Sequence, residues 1–257
     1  MRCKLSKVIT MFNLKGGTGK STTTLFCSYI LSEQKKVLLI DLDASTSLTS
    51  FLIDDSDEVE NRTILEGLIG KAQPNEITVQ IKENLDFIPA TETLSDQDLY
   101  KNDFPILNLH NMLKSVKDQY DYIILDCPPH KLLETKQALA VSNIVISPTK
   151  LAKWDIRGLG SVNKLIYEEN VQSQQLTNTK LEQHYILPTM VEKNTTLHQS
   201  YLEALESSYP GRILPSIHKK VEVDKLITFG GIGNVKDTET YKEYKTIIDK
   251  VLTSVSV

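Results

Sequence analysis

The chain has 257 residues, 40% of them hydrophobic and 24% charged, with a formal net charge of −4. This is enough apolar sequence for one large core. The acidic balance excludes binding of a polyanion through bulk charge, so any nucleic-acid contact must come from a local basic patch. The three cysteines, Cys3, Cys27 and Cys127, form no CxxC pair, which argues against a single-chain zinc or iron–sulfur site and suits a reducing cytoplasm.

In chain order, MRCKLSKVITMF lacks the long apolar stretch of a signal peptide. Val8–Asn13 (VITMFN) reads as a buried strand and Ser21–Glu33 as a helix. Val37–Leu42 (VLLIDL) is a continuous apolar run, as expected of a strand buried on both faces. Asp54–Asn61 is acidic and reads as a solvated loop, and Leu85–Pro89 is a weaker strand candidate. Helical periodicity covers Ile106–Lys117, followed by strands at Tyr122–Leu125 and Ile144–Ser147. A helix is predicted over Leu159–Glu169 and a polar surface connection over Val171–Lys180. Then come a strand at Tyr185–Leu187, a helix at Leu197–Ser207, a weak strand at Arg212–Leu214 and a helix at Tyr241–Leu252. No run of about 18 apolar residues occurs, so no membrane-spanning helix is expected. Strand–helix alternation predicts a single α/β domain over residues 1–257, a mostly parallel sheet with helices on both faces. Ligands of such sheets bind beyond the carboxyl ends of the strands.

The segment NLKGGTGKSTTT joins a predicted strand to a predicted helix, the context required of a P-loop. Gly16, Gly17 and Gly19 let backbone N–H groups approach phosphate oxygens, and the start of the helix adds its positive end. Lys20 supplies a point charge to the β- and γ-phosphates, the Ser21 hydroxyl a ligand for Mg²⁺, and Thr22 a contact to the α-phosphate. Thr18 completes the loop. Asp41 and Asp43 alternate at a strand end (LIDLDAS) and so point the same way. Asp126 ends a second apolar strand (YDYIILDCPP), where an aspartate can hold Mg²⁺ through water. His130 follows and reads as a surface loop histidine rather than a catalytic base.

The position five residues before Gly19 is Leu14, where the general P-loop has glycine, and Lys15 follows it. This KGGxGK[ST] form resembles the deviant Walker A motif of the MinD/ParA superfamily of ATPases. The likeness covers nearly the whole chain and is strongest over residues 7–50 and 121–165. It implies that Lys15 reaches across an ATP-dependent homodimer to the partner's phosphates and, with Lys20 and Asp43, serves catalysis. Asp41 and Asp43 resemble the acids of the family's DxDPQ switch, which implies that Asp41 lies near magnesium and Asp43 positions the attacking water. Ala44 and Ser45 replace the motif's Pro and Gln.

The segments ILPTMVEKNTTLHQ and ILPSIHKKVEVDK resemble ParA stretches that line the adenine pocket, which implies base contacts from Thr189 and Pro215. The short ParA/Soj type is the nearest match. It implies ATP or ADP with Mg²⁺ as ligands, non-specific DNA and a ParB-like centromere-binding protein as partners, and a cytoplasmic, nucleoid-associated location. Because the chain starts just before the first strand, no N-terminal DNA-reading extension is expected. Lys219 aligns with a DNA-contacting arginine of relatives, Lys193 and Lys220 are its neighbours, and Lys242, Lys245 and Lys250 form another basic helical face. The alternative is a MinD-like membrane-associated positioning ATPase. That reading needs a basic amphipathic C-terminal helix, and the terminal TSVSV has neither lysines nor bulky aromatics. A P-loop tyrosine kinase, an iron–sulfur reductase and a dethiobiotin synthetase-like ligase fit less well.

Overall fold

A computed structural model of the chain describes residues 6–54, 59–95, 106–193, 195–223, 236 and 238–255. Its sheet has seven strands: β1 (Lys7–Met11), β2 (Val37–Asp41), β3 (Val79–Lys82), β4 (Leu85–Ile88), β5 (Tyr122–Asp126), β6 (Ile144–Lys150) and β7 (Gln183–Thr189), in the order β3-β4-β2-β5-β1-β6-β7. All neighbours pair in parallel except the edge hairpin β3–β4. The register aligns Asp126 with Met11 on one side and with Asp41 on the other. The ends of β1, β2 and β5 therefore finish level, and the motif residues beyond them share one edge of the sheet.

The helices are α1 (Lys20–Leu31), α2 (Ser47–Leu52), α3 (Ile64–Leu68), α4 (Pro74–Ile77), α5 (Asn108–Lys114), α6 (Leu133–Val141), α7 (Lys153–Thr177), α8 (Thr196–Ser208) and α9 (Glu239–Val255). Because side chains alternate across a strand, Ile9, Met11, Leu39 and Ile124 face one layer, with α1 and α9, while Val8, Leu38, Ile40, Ile123 and Leu125 face the other, with α5, α6 and α7. In the first layer Phe26 stacks on Tyr244 with ring centroids 4.6 Å apart. The apolar stripe of α9 (Tyr241, Tyr244, Ile247, Ile248 and Val251) is buried there and presents no face to a lipid surface. Among the described residues no helix is long and apolar enough to cross a membrane.

Several expectations are corrected. Val171–Thr177 is not a surface connection but the last turns of α7. Its inward positions are polar: Asn170 Nδ2 donates to the carbonyls of Leu139 and Ser142, and Thr177 Oγ1 donates to that of Ala140. Apolar periodicity cannot detect a helix face buried by hydrogen bonds. The helix stops at Asn178, in the left-handed region at φ 52°. Arg212–Leu214 forms a single bridge, Ile186 to Ile213, rather than a strand. The half-buried hairpin strand β3 and the helices α2–α4, four to six residues each, are too short for periodicity to register. Residues 55–58 of the acidic stretch lie outside the described residues.

Candidate functional site

Between β1 and α1 the chain bends at Gly17 (φ 66°) and Gly19 (φ 90°), conformations that strain any residue with a Cβ. Gly19 caps α1 without a side-chain hydrogen bond, so the first N–H groups of the helix remain open to an anion. Two anchors hold the loop. Asn13 accepts from the Lys15 N–H (3.1 Å) and donates to the Pro148 carbonyl (2.8 Å), and Thr189 Oγ1 donates to the Thr18 carbonyl (2.8 Å). Lys20 is buried, and its Nζ donates to the Lys15 carbonyl at 3.2 Å. Burial lowers its pKa, opposed by the charges of Asp126 and Asp43.

The loop borders a cavity of about 790 Å³. Gly16, Gly17, Gly19, Lys20, Ser21 and Thr22 form one wall, and the other walls come from Asp43–Ser45, Ser47, Glu92, Pro129, His130 and Met190. A second cavity of about 120 Å³ continues from Gly19, Thr22 and Met190 toward Thr189, Ile217, His218, Lys219, Lys220, Val223 and Tyr244. Thr22 borders both, and the smaller is the more apolar.

The carboxylates divide their work. Asp41 is fully buried, Oδ1 accepting from the Asp43 N–H and Oδ2 from the Thr49 N–H and hydroxyl. It ties β2 to α2. Asp126 accepts from Thr24 Oγ1 at 2.8 Å on Oδ1, while its Oδ2 is buried with no partner. Burial raises both carboxyls. The charge of Asp126 adds to the effect on Asp41, and the hydroxyls of Ser21 and Thr24 and the Lys20 charge oppose it at Asp126. A cation next to the orphaned Asp126 oxygen and the Ser21 hydroxyl would offset that cost. Among the described residues no group of three His, Cys, Asp or Glu could hold a metal. A hard cation here would therefore complete its shell with water and phosphate oxygens. Burial and the Asp126 charge push the Cys127 thiol well above its usual range, which leaves it without thiolate chemistry.

The structure thus brings Gly16, Gly17, Gly19, Lys20, Ser21, Thr22 and Asp43 to one cavity. Lys15 lies outside its lining and pairs with Asp155. The Thr18 side chain is wholly buried beneath the loop. Thr189 borders the smaller cavity, but Pro215 does not, and Ile217–Lys220 stand there instead. Lys219 is exposed 3.9 Å from Glu192, and Lys193 lies 4.0 Å from Glu239. Lys220 is only 14% exposed, held by Glu243 (2.9 Å) and Glu239 (3.3 Å), which removes it from an outward basic patch. Sequence does not assign Glu92 and Met190 to the site, because no local pattern marks a distant segment that borders a P-loop, and His130, which follows the Asp126 motif, reads there as a surface residue.

A strap of free amides over a helix end, with one buried lysine at its centre, answers the shape and charge of a polyphosphate, and the class is a P-loop nucleoside triphosphatase fold. The AAA domain family model AAA_31 matches residues 6–183. The chain is 31% identical over 217 residues to the sporulation initiation inhibitor protein Soj of Bacillus subtilis, covering 83% of this chain and 84% of that one. Among solved structures, a plasmid partition protein of Borrelia burgdorferi B31 bound to AMPPNP superposes with a TM-score of 0.83 at 28% identity, over 96% of this chain and 99% of that one. The cobyrinic acid a,c-diamide synthase of Mycobacterium smegmatis with bound ADP and magnesium follows at 0.80 and 26%, covering 96% and 94%. The chain belongs to the ParA/Soj family of P-loop ATPases.

Proposed function

We propose that the protein hydrolyses Mg·ATP and uses the nucleotide cycle to partition DNA. The observation that carries the reading is the level edge of the sheet, where Lys20, Ser21 and Thr22 face Asp43 across one cavity and Asp126 holds an unpartnered oxygen beneath them. The open amides of the loop and Lys20 bind the β- and γ-phosphates, Thr22 reaches the α-phosphate, and the base enters the smaller cavity beside Thr189. Ser21 and Asp126 would hold magnesium, which would supply positive charge to the phosphates. Asp43 orients the attacking water. Asp41, with its oxygens engaged by Thr49 and the Asp43 amide, supports the site from behind. Two ATP-bound subunits close face to face, Lys15 of each reaching the other's phosphates. The dimer binds DNA without sequence preference, and a ParB-like partner stimulates hydrolysis and release.

The test is DNA binding with ATP, ADP and no nucleotide at two salt concentrations. Binding that requires ATP and weakens steeply with salt supports the reading. Binding indifferent to nucleotide overturns it. Asp43→Ala should accumulate an ATP-bound dimer on size-exclusion chromatography; a monomer there removes the water-positioning role.

A further inference from the structure

We propose that His130 recognises the terminal phosphate: its imidazole Nε2–H donates to an oxygen of the γ-phosphate, so that the loop after β5 closes on a triphosphate in preference to a diphosphate. This rests on the ATP reading above and adds to it a residue that the P-loop motif does not contain. His130, expected from sequence to be a surface loop histidine, is half-buried in the loop after β5. It borders the large cavity together with Lys20, Ser21 and Asp43. It stands four residues after Asp126, beyond Pro128 and Pro129, whose rings fix two successive φ angles and limit how far the loop can swing.

The ring's surroundings select its tautomer. Nδ1 is buried with no hydrogen-bond partner. A buried N–H without an acceptor is rarer in native proteins than an under-used acceptor, which favours the tautomer with the proton on Nε2. That leaves one donor for the cavity. The need for a donor on this wall follows from its composition. Apart from the loop, the cavity is bordered by the carboxylate of Asp43, which repels a γ-phosphate, and by the Ser45 and Ser47 hydroxyls, which bond each other at 3.2 Å. Among the residues bordering the cavity, Lys20 and His130 are the two with side-chain nitrogen. Lys20 belongs to the loop wall. His130 is the one outside the loop, and a donor there that meets the γ-phosphate finds no matching oxygen in a diphosphate.

Isothermal titration of Mg·AMPPNP and Mg·ADP into the full-length wild type, His130→Ala and His130→Gln tests this. His130→Ala should lose on the order of tenfold in AMPPNP affinity, the scale of one hydrogen bond to a charged group, with ADP affinity unchanged. His130→Gln, whose amide nitrogen replaces Nε2, should recover most of the loss. His130→Asn, whose amide nitrogen replaces Nδ1, should not. Equal losses for both nucleotides in His130→Ala, no loss for either, or better recovery by Asn than by Gln overturns the assignment while the ATPase reading stands. Failure of the wild type to bind either nucleotide overturns both together.

Discussion

Lys15 Nζ lies 3.4 Å from Asp155 Oδ2 of the same subunit, at the first turn of α7. The lysine that the proposed dimer needs in trans is therefore held in cis, away from its own phosphate cavity. Lys15 is 38% exposed, so the pair contributes at most about 1 kcal/mol. Breaking it should be easy. Asp155→Ala is expected to release Lys15 and raise the dimer fraction at fixed Mg·ATP, by up to roughly thirtyfold in the association constant because each of the two subunits gives up one such pair. Analytical ultracentrifugation with Mg·ATP measures this, and a weaker dimer would mean that Asp155 serves the interface itself.

Thr189 fastens the P-loop to β7 by the bond from its hydroxyl to the Thr18 carbonyl, both residues being buried. Thr189→Val keeps the shape and strands a buried carbonyl, a loss of about 1–3 kcal/mol. The melting temperature should fall, and the affinity for Mg·ADP should fall with it because the glycine strap is no longer held in register. Thr189→Ser should restore both. Calorimetric melting and nucleotide titration of the three proteins separate a positioning role from a merely stabilising one, which would lower melting alone.

Much of this arrangement is legible in the sequence because P-loop chemistry is local. Lys20, Ser21 and Thr22 are contiguous, and the rise of apolar strands into Asp41 and Asp126 marks where β2 and β5 end. What sequence misses is set by long-range packing. Likeness places Thr189 near the base, yet its hydroxyl serves the loop backbone. Asp41 and Asp43 share one side of a strand end, but Thr49, eight residues on, takes the first for structure. His130 follows a recognisable motif, and only the fold discloses that its Nδ1 is buried.

The buried acids make stability depend on pH. Burial raises Asp41 to about 8 and Asp126 to about 6, from an ordinary 3.8. Between 3.8 and those values the folded state binds more protons than the unfolded state. Their contribution is thus full at the acid end and diminishes as pH rises toward 8. The magnesium-free protein should melt higher near pH 5.5 than near pH 8, and Asp126→Asn should flatten that trend. Mg·ATP should flatten it too, because a cation favours the ionised carboxylate. Scanning calorimetry across this range decides; an opposite slope that persists in Asp126→Asn would show that other groups govern it.

Lys219 and Lys220 are neighbours in sequence with opposite surroundings. Lys219 is 65% exposed and only loosely paired with Glu192, whereas Lys220 is clamped by Glu239 and Glu243 beside the smaller cavity. Their charge reversals should therefore fail differently. Lys219→Glu should leave melting and nucleotide affinity unchanged. If the residue neutralises a DNA phosphate, the reversal should weaken ATP-dependent DNA binding and make its salt dependence shallower, by about one in the log–log slope for each phosphate set free. Lys220→Glu places a third carboxylate against those of Glu239 and Glu243 and removes the ammonium that bridges them. It should lower the melting temperature and disturb base binding before DNA is added. Filter binding at several salt concentrations, beside melting curves, tells the two apart. Should Lys219→Glu bind DNA with the wild-type slope, the basic surface lies elsewhere, and the exposed Lys242 and Lys245 of α9 are the next positions to reverse.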